Sequence, residues 1–371
     1  MVNTSQTVKV VGTVRKRNSA NPPISAPQCR RFAKKIVAWQ EQHGRHDLPW
    51  QKSRDPYAIW LSEVMLQQTQ VSAVIPYYER FLERYPSCTA LAAAPLDDVM
   101  QLWSGLGYYS RARNLHRAAR IVVERYGGAF PRSLEAISHL PGIGRSTAAA
   151  IAAFSYGARH ALLDGNVKRV LTRVFALDGD ATQAALERRL WSLAERLVPA
   201  NGIERYSQGL MDLGAMVCLR RGAKCTRCPL VRDCMAYRSG RVDELPAARV
   251  RKALPQRDTV MLLLRYKGEV LLEKRPPSGI WGALWSLPEL ALQEDPETIC
   301  RKRFGVNAAV FTELASIEHR FTHFRLRIHP VHVEVGSLNP RVSEPGSMWV
   351  PLADTFGAAL PVPVRHILRS L

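Results

Sequence analysis

The sequence predicts a mainly helical N-terminal module followed by a smaller α+β module. From residue 28 to about residue 237, apolar residues recur at helical spacing, Pro and Gly cut the runs, and alternating β-branched stretches are nearly absent. Residues 238–257 are basic and indicate a linker. Residues 258–371 begin with apolar strand segments separated by turns. A chain of 371 residues is long enough for two such domains.

Residues 1–27 are polar and basic, and we expect a disordered arm there. The arm has cations but no apolar segment, so it does not fit a secretory signal peptide; an organellar transit peptide is the alternative.

The formal net charge of +20 indicates a polyanionic partner, and nucleic acid is the first candidate. An anionic membrane surface is the rival. No run of about 18 apolar residues could span a bilayer, so we expect no membrane partner.

Four cysteines, Cys218, Cys225, Cys228 and Cys234, have the spacing C-x6-C-x2-C-x5-C, and cations surround them. Four thiolates this close in sequence can close around one metal centre, and we favour a [4Fe-4S] cluster on a loop that meets phosphate. A structural zinc site and unrelated thiols are the alternatives; zinc sites commonly use two short C-x2-C hooks, and only one is present. Such thiolates need a reducing compartment, which indicates a cytoplasmic location.

The segment 140–147, Leu-Pro-Gly-Ile-Gly-Arg-Ser-Thr, lies between two helical patterns. Gly142 and Gly144 allow a tight turn, and the next helix would offer free N–H groups to a phosphate. This is the layout of a helix-hairpin-helix element, which binds backbone without reading sequence. An ordinary Gly-rich turn is the alternative.

Asp164 precedes a Gly and a predicted helix start. It is either a helix N-cap or a carboxylate held opposite a forming sugar cation. Lys168 and Arg169, one turn later, would face the DNA backbone.

Glu63 lies in an apolar helical segment, in one row with Ile59 and Leu66. Burial would raise the pKa of its carboxyl and suit it to act as a general acid; a core salt bridge is the alternative. The polar run 67–69 that follows could enter a base stack, as could Tyr108 in the flexible loop Gly-Leu-Gly-Tyr-Tyr. A solvated helix end and core packing are the plain alternatives.

Together these motifs resemble the helix-hairpin-helix DNA glycosylases with an iron–sulfur loop, and within them the adenine DNA glycosylases of the MutY type. The resemblance runs from about residue 28 to the C-terminus. Its motifs are residues 48–51, 60–70, 95–97, 105–114, 140–147, 163–170 and 211–218.

The resemblance implies roles for the acidic residues. Glu63 would protonate adenine at N7, Asp164 would stabilise the oxocarbenium ion, and Asn166 would support Asp164. It also implies two groups of contacts. Adenine would be bound by Gln208, Leu48 and Trp50, and the stack would be wedged and the opposite base contacted by Gln68, Thr69 and Tyr108. The DNA backbone would be bound by Gly142, Gly144, Ser146 and Lys168.

Ser146 occupies the position where the endonuclease III type has its Schiff-base lysine, so we expect a monofunctional glycosylase, with at most weak strand nicking through Lys168. The C-terminal module resembles a MutT-like (Nudix) domain. Its segment 300–306 is basic where a Nudix hydrolase needs carboxylates for Mg²⁺, so a lesion sensor is expected, with Phe321, Thr322 and His323 as its sensing loop.

The prediction is therefore a helix-hairpin-helix glycosylase core with a [4Fe-4S] loop and a Nudix-like α+β domain. The core would be split by its cleft into a six-helix barrel part and a cluster-bearing part. The chain would act in base excision repair as a monomer on double-stranded DNA, removing adenine paired with 8-oxoguanine or guanine. We expect it in a bacterial-type cytoplasm, at the nucleoid. An endonuclease III-like glycosylase/lyase, a non-catalytic damage-binding protein and an Fe–S redox protein are the rivals.

Overall fold

The computed structural model describes residues 24–180, 183–248, 253–339, 342 and 344–370. Most of the arm predicted for residues 1–27 therefore lies outside the described residues. In the described chain, no helix is both long and apolar enough to cross a membrane.

The N-terminal module is built from helices joined by short loops, as predicted. Its helices are α1 (Ala26–His43), α2 (Pro56–Leu66), α3 (Val71–Arg84), α4 (Cys88–Ala93), α5 (Leu96–Trp103), α6 (Ser110–Tyr126), α7 (Leu134–Ser138), α8 (Arg145–Tyr156), α9 (Gly165–Val174), α10 (Ala184–Leu197), α11 (Ile203–Met216) and α12 (Met235–Arg238).

Two hydrophobic cores divide this module, and α8 is shared between them. Ala148, Ile151 and Ala152 pack into the core formed with α2 to α7. The opposite side of α8, with Ala149, Ala150 and Ala153, packs into the core formed with α1 and α9 to α12. Because alanine side chains are small, other helices can pack closely against both sides of α8. The two cores therefore meet at α8, and the cleft lies between them.

Helix α11 approaches the start of α9 very closely. A Cβ added at Gly214 would lie 2.5 Å from Asn166 Cβ and 3.0 Å from Asn166 Cα. The absence of a side chain at Gly214 therefore sets how near the first turn of α9 lies to α11.

In its described residues, the C-terminal module is one mixed sheet with two α-helices. Its elements are β1 (Gln256–Tyr266), β2 (Glu269–Lys274), β3 (Trp285–Ser286), β4 (Glu289–Leu290), α13 (Pro296–Phe304), β5 (Val306–Glu313), β6 (Ile317–Arg320), β7 (Arg325–Leu338), β8 (Ser347–Pro351) and α14 (Val362–Leu368). The strand order is β3-β2-β1-β7-β5, and β4, β6 and β8 pair with β1, β7 and β2. Strands β1 and β7 are parallel, and their residues Met261, Leu263 and Ile328 join the core of α2 to α8.

Specific hydrogen bonds join the two modules. Arg113 of α6 donates from Nη1 to the carbonyl of Gly282 at 2.6 Å. Arg365 of α14 donates to Ser104 Oγ at 3.0 Å, and Ser104 Oγ donates to the carbonyl of Leu360 at 3.3 Å. The C-terminal module thus contacts the loop and the helix that follow α5.

Three details differ from the sequence-based expectations. Helix α1 begins at Ala26, because Ser25 caps it and Gln28 completes a capping box. The predicted linker is not free throughout: Leu245 is buried, and its carbonyl accepts from Arg173 Nε at 2.8 Å.

In the sequence, residues 324–335 alternate as a strand would, and Pro330 within them predicts a bulge or an edge strand; this prediction is wrong. Strand β7 lies inside the sheet, and its register with β1 runs unbroken through Pro330. The missing N–H is tolerated because Pro330 falls where β6, which pairs up to Ile328, gives way to β5, which pairs from Val331.

We predict that Gly214→Ala destabilises the protein by about 1–3 kcal/mol, because the new methyl collides with Cβ and the backbone of Asn166. Without the collision, alanine would stabilise α11 by about 1 kcal/mol relative to glycine. A net loss of stability in the variant would therefore be due to the collision. Urea unfolding measures it. Gly165→Ala is the matched control: its Cβ would meet nothing within 4 Å, and a shift within about 0.5 kcal/mol is expected. Equal effects of the two variants would contradict the proposed close approach.

Candidate active site

A cavity of about 250 Å³ opens between the two cores. Glu63 of α2 and Gln208 of α11 line it from opposite halves, and Trp50 lines it as well. Leu48, the other predicted pocket residue, is buried nearby but does not line this cavity. The volume lies just below the roughly 300–1,000 Å³ of sites for drug-sized ligands. It suits one small planar group such as a single base.

Glu63 is partly open to the cavity but enclosed on its other sides. Burial, and secondly the negative charge of Asp164, raise the pKa of its carboxyl to about 8. Its oxygens have no hydrogen-bond partner among the described residues. The core salt bridge considered as an alternative is therefore wrong for the described residues, and Glu63 is a protonated acid at neutral pH.

Asp164 is the N-cap of α9, as the plain interpretation of the sequence predicted. Its Oδ1 accepts from the Val167 N–H at 2.7 Å, and its Oδ2 accepts from Asn166 Nδ2 at 3.2 Å. Arg169 in turn donates to Asn166 Oδ1 at 2.8 Å and to the Gly214 carbonyl at 2.7 Å.

Two influences compete on the Asp164 carboxyl. Burial is the stronger influence and raises its pKa above the ordinary value, and the hydrogen bonds from Val167 and Asn166 and the charge of Arg169 offset only part of that rise. Glu63 has no such donors among the described residues, so of the two carboxyls Asp164 is the one whose ionised form is better stabilised. The two carboxyls are thus suited to opposite protonation states.

The predicted hairpin precedes α8. Gly142 has φ +79°, and a Cβ there would meet Asn114 Cβ at 2.9 Å, so this turn requires glycine. Gly144 is the N-cap of α8 and borders open space. Ser146 Oγ accepts from the Leu163 N–H at 2.9 Å and so ties the hairpin to the segment that carries Asp164.

Lys168 has a partner that the sequence did not predict. Its Nζ lies 2.6 Å from Glu187 Oε1 on α10. Lys168 does not line the cavity that contains Glu63.

Two of the three predicted wedge residues, Thr69 and Tyr108, contact one buried arginine. Arg111 donates to the carbonyls of Met65 and Gln67 at 2.6 and 2.7 Å, and to Thr69 Oγ1 at 3.1 Å. Its guanidinium also lies 5.3 Å from the centre of the Tyr108 ring. One cation therefore fixes both the end of α2 and the loop before α6, although burial lowers its pKa to about 10.

Gln68 and Tyr108 are exposed and have positive φ angles, 58° and 49°. Such values are unfavourable for residues with a side chain and cluster at functional sites. Together with Gly142 they line a second cavity of about 230 Å³. The structure thus brings the predicted wedge and the hairpin to one surface.

The four cysteines line one apolar pocket, which Arg173 also borders. In the described chain, no three Cys, His, Asp or Glu side chains converge on a point suited to a single ion. Burial raises the pKa of Cys228 to about 12, so its thiolate form needs a cation. The four thiols and their shared pocket fit a metal centre with thiolate ligands.

In the C-terminal module, Phe321 belongs to an aromatic group while Thr322 and His323 are exposed. The Phe321 ring stacks on Phe324 with centroids 4.6 Å apart and lies 5.4 Å from Trp281. Sequence reasoning missed Trp281; its place in the Gly-rich segment 279–282 was the available signal.

Helix α13 contains the basic segment compared above with a Nudix metal site. Arg303 of this helix pairs with Glu344, Nε to Oε1 at 2.9 Å, and with Glu273. The carboxylates of Glu273 and Glu344 are thus both paired with one guanidinium.

Known proteins resemble the chain over both modules. Residues 61–196 match the model of the HhH-GPD superfamily base excision DNA repair protein, and residues 259–370 match the NUDIX domain. Adenine DNA glycosylase of Buchnera aphidicola (subsp. Acyrthosiphon pisum) is 36% identical over 340 residues, which cover 91% of this chain and 97% of that protein. The mouse and human adenine DNA glycosylases are 33% and 31% identical, covering 91% of this chain and 77% and 73% of theirs.

Solved structures agree on the helical core. A thermostable thymine-DNA glycosylase, 32% identical, covers 57% of this chain and 97% of its own with a TM-score of 0.52. A non-covalent endonuclease III–DNA complex, 21% identical, covers 59% and 99% with a TM-score of 0.51, which shows the fold.

The predicted fold class is confirmed: a helix-hairpin-helix glycosylase core is followed by a Nudix domain. The predicted enzyme class, a DNA N-glycosylase of base excision repair, is confirmed as well, and its partner is DNA. The chain belongs to the adenine DNA glycosylases.

Proposed function

We propose that the chain removes adenine paired with 8-oxoguanine or guanine by hydrolysis, without efficient cleavage of the strand. The observation that carries this is the pair of Glu63 and Asp164. Burial keeps the first carboxyl protonated near neutral pH, and three hydrogen-bonding or charged neighbours favour the ionised form of the second.

The chemistry follows from these two states. Glu63 gives its proton to adenine N7, so the electrons of the C1′–N9 bond can leave with a neutral base. The sugar becomes an oxocarbenium ion, which the Asp164 carboxylate stabilises directly or through a short-lived covalent bond. Water then adds to C1′ and its proton returns to the Glu63 carboxylate, which restores the enzyme. Asn166 holds Asp164 through the hydrogen bond described above.

Adenine reaches the cavity only when it leaves the helix stack, which costs a few kcal/mol. Tyr108, Gln68 and Thr69 would fill the gap and contact the opposite base, while Trp50, Gln208 and Leu48 would enclose the adenine. The positive φ angles at Gln68 and Tyr108 support this role. Strained backbone conformations at exposed residues are unfavourable, and they occur mainly at functional sites.

The DNA backbone would be bound at the hairpin, at Gly142, Gly144 and Ser146, where the start of α8 offers free N–H groups. Lys168 could join them only by leaving Glu187, so its contribution would be small.

The absence of a lysine from the described wall of the Glu63 cavity supports a monofunctional enzyme. Ser146 has no amine to form a Schiff base, and its hydroxyl is already engaged by Leu163.

The module at residues 258–371 would sense the lesion through Phe321, Thr322 and His323, and residues 28–237 would perform the excision. Two exposed side chains beside a stacked aromatic group can contact a base. The chain would act as a monomer, in a bacterial-type cytoplasm.

We further propose that Cys218, Cys225, Cys228 and Cys234 hold a [4Fe-4S] cluster. When bound, it would supply a rigid cross-link that shapes the basic loop around it. About four iron and four sulfide ions per chain support this assignment, and one zinc ion per chain contradicts it.

The excision rate should fall as pH rises through about 8. Glu63 has its pKa raised from 4.5 to about 8, so the required proton is present below this pH and lost above it. Single-turnover rates between pH 5 and 10 measure the effect.

The Glu63→Gln variant should excise adenine about 10²- to 10⁴-fold more slowly, because it has no proton to give. It should still bind mispaired DNA.

The same shift predicts an effect on stability. A carboxyl whose folded pKa is raised loses folded-state stability as pH rises from 4.5 towards 8. Glu63→Gln should therefore unfold at higher urea than wild type at pH 8, and at equal urea near pH 4. A lower midpoint at pH 8 would refute a buried neutral Glu63.

Duplexes with one adenine opposite 8-oxoguanine, guanine or thymine test the proposed reaction. We expect cleavage of the adenine strand only after hot alkali, fastest opposite 8-oxoguanine. Equal cleavage without alkali would indicate a lyase, and equal rates on all three duplexes would refute lesion recognition. Lys168→Ala is the control for residual nicking.

A further inference from the structure

Asp212 is a fully buried carboxylate one helical turn after Gln208 on α11. Its Oδ2 accepts from the Arg45 backbone N–H at 2.9 Å, and its Oδ1 accepts from Arg45 Nε at 2.6 Å. Gln208 Nε2 also donates to Oδ1, at 2.9 Å. Sequence reasoning missed both Asp212 and Arg45, although the i, i+4 spacing from Gln208 was visible.

These contacts fix the orientation of the Gln208 amide. A carboxylate paired with a guanidinium has no proton to donate, so only the NH₂ side of the amide can face Asp212. Gln208 Oε1 is left without a partner among the described residues, on a side chain that lines the Glu63 cavity. The wall therefore presents a hydrogen-bond acceptor at Gln208.

Arg45 adds a donor to the same wall. It lines the cavity, and Asp212 engages its Nε and Nη2. Its Nη1 has no hydrogen bond among the described residues. The wall thus carries an acceptor and a donor, and the same carboxylate holds both.

This pattern complements one purine and opposes the other. Adenine has a donor at N6 beside an acceptor at N1, whereas guanine and hypoxanthine have an acceptor at O6 beside a donor at N1. A fixed acceptor would face the N6 amino group favourably and would repel an O6 carbonyl.

We propose that Asp212 is a positioning residue that sets selectivity for a 6-amino purine by holding the Gln208 carbonyl and the Arg45 guanidinium towards the base. The proposal rests on the assignment of Gln208 to the adenine pocket. It predicts that the pocket disfavours a base with a 6-keto group.

The test compares single-turnover excision of adenine and hypoxanthine, each opposite 8-oxoguanine, by wild type, Asp212→Asn and Gln208→Leu. In Asp212→Asn the new amide can donate, so Gln208 can turn its NH₂ group to the cavity. The adenine-to-hypoxanthine rate ratio should fall about tenfold or more, within the range for one reading contact. Glu344→Gln, which breaks an arginine–carboxylate pair in the C-terminal module, is the control and should keep the wild-type ratio.

The outcomes distinguish the assignment of Gln208 to the adenine pocket from the positioning role of Asp212. An unchanged ratio in Gln208→Leu would mean that Gln208 does not read the base, and the pocket assignment fails. A lowered ratio in Gln208→Leu with equal losses on both bases in Asp212→Asn would overturn the role of Asp212 alone.

A measurement on wild type covers the case in which Asp212→Asn does not fold. Rates for purine, which has no 6-substituent, and for hypoxanthine are each divided by the non-enzymatic depurination rate. We expect hypoxanthine to be slower than purine, because its O6 faces the Gln208 carbonyl. A faster hypoxanthine rate would refute the fixed acceptor.

Discussion

The central constraint is that two carboxyls near each other must hold opposite protonation states. The fold meets it by placing them on elements of different cores. Glu63 projects from α2, whose surroundings are apolar and offer it no donor among the described residues. Asp164 begins α9, where backbone and side-chain donors compensate a negative charge. The alanine-rich α8 contributes residues to both cores and joins these two environments.

Several surrounding contacts help to position the Glu63 and Asp164 carboxyls. Gly214 lets the start of α9 lie against α11, and Ser146 ties the preceding segment to the hairpin. Arg111 closes the end of α2 and also holds the loop of Tyr108. The helix that carries the acid and the surface proposed to enter the DNA stack are therefore joined through one guanidinium, and neither is free to move alone.

The sequence predicted the features that depend on local chemistry. An acidic residue in an apolar helical run indicated the burial of Glu63, and Asp-Gly before a helical pattern indicated the Asp164 cap. Features that depend on distant partners could not be predicted: the Lys168–Glu187 pair joins two helices, and Asp212 acts on Arg45 from 167 residues away. The prediction at Pro330 was wrong for the same reason, because whether β7 tolerates a proline there depends on where β5 and β6 end.

The protonation state of Glu63 tests the account most directly. A ¹³C NMR titration of protein labelled at the glutamate carboxyl carbon, with Glu63→Gln to assign the signal, measures it without reference to any reaction. The account predicts a midpoint near 8 for Glu63 in the free enzyme. A midpoint near the ordinary 4.5 would show that the carboxyl is ionised at neutral pH, and the assignment of Glu63 as the acid would fail.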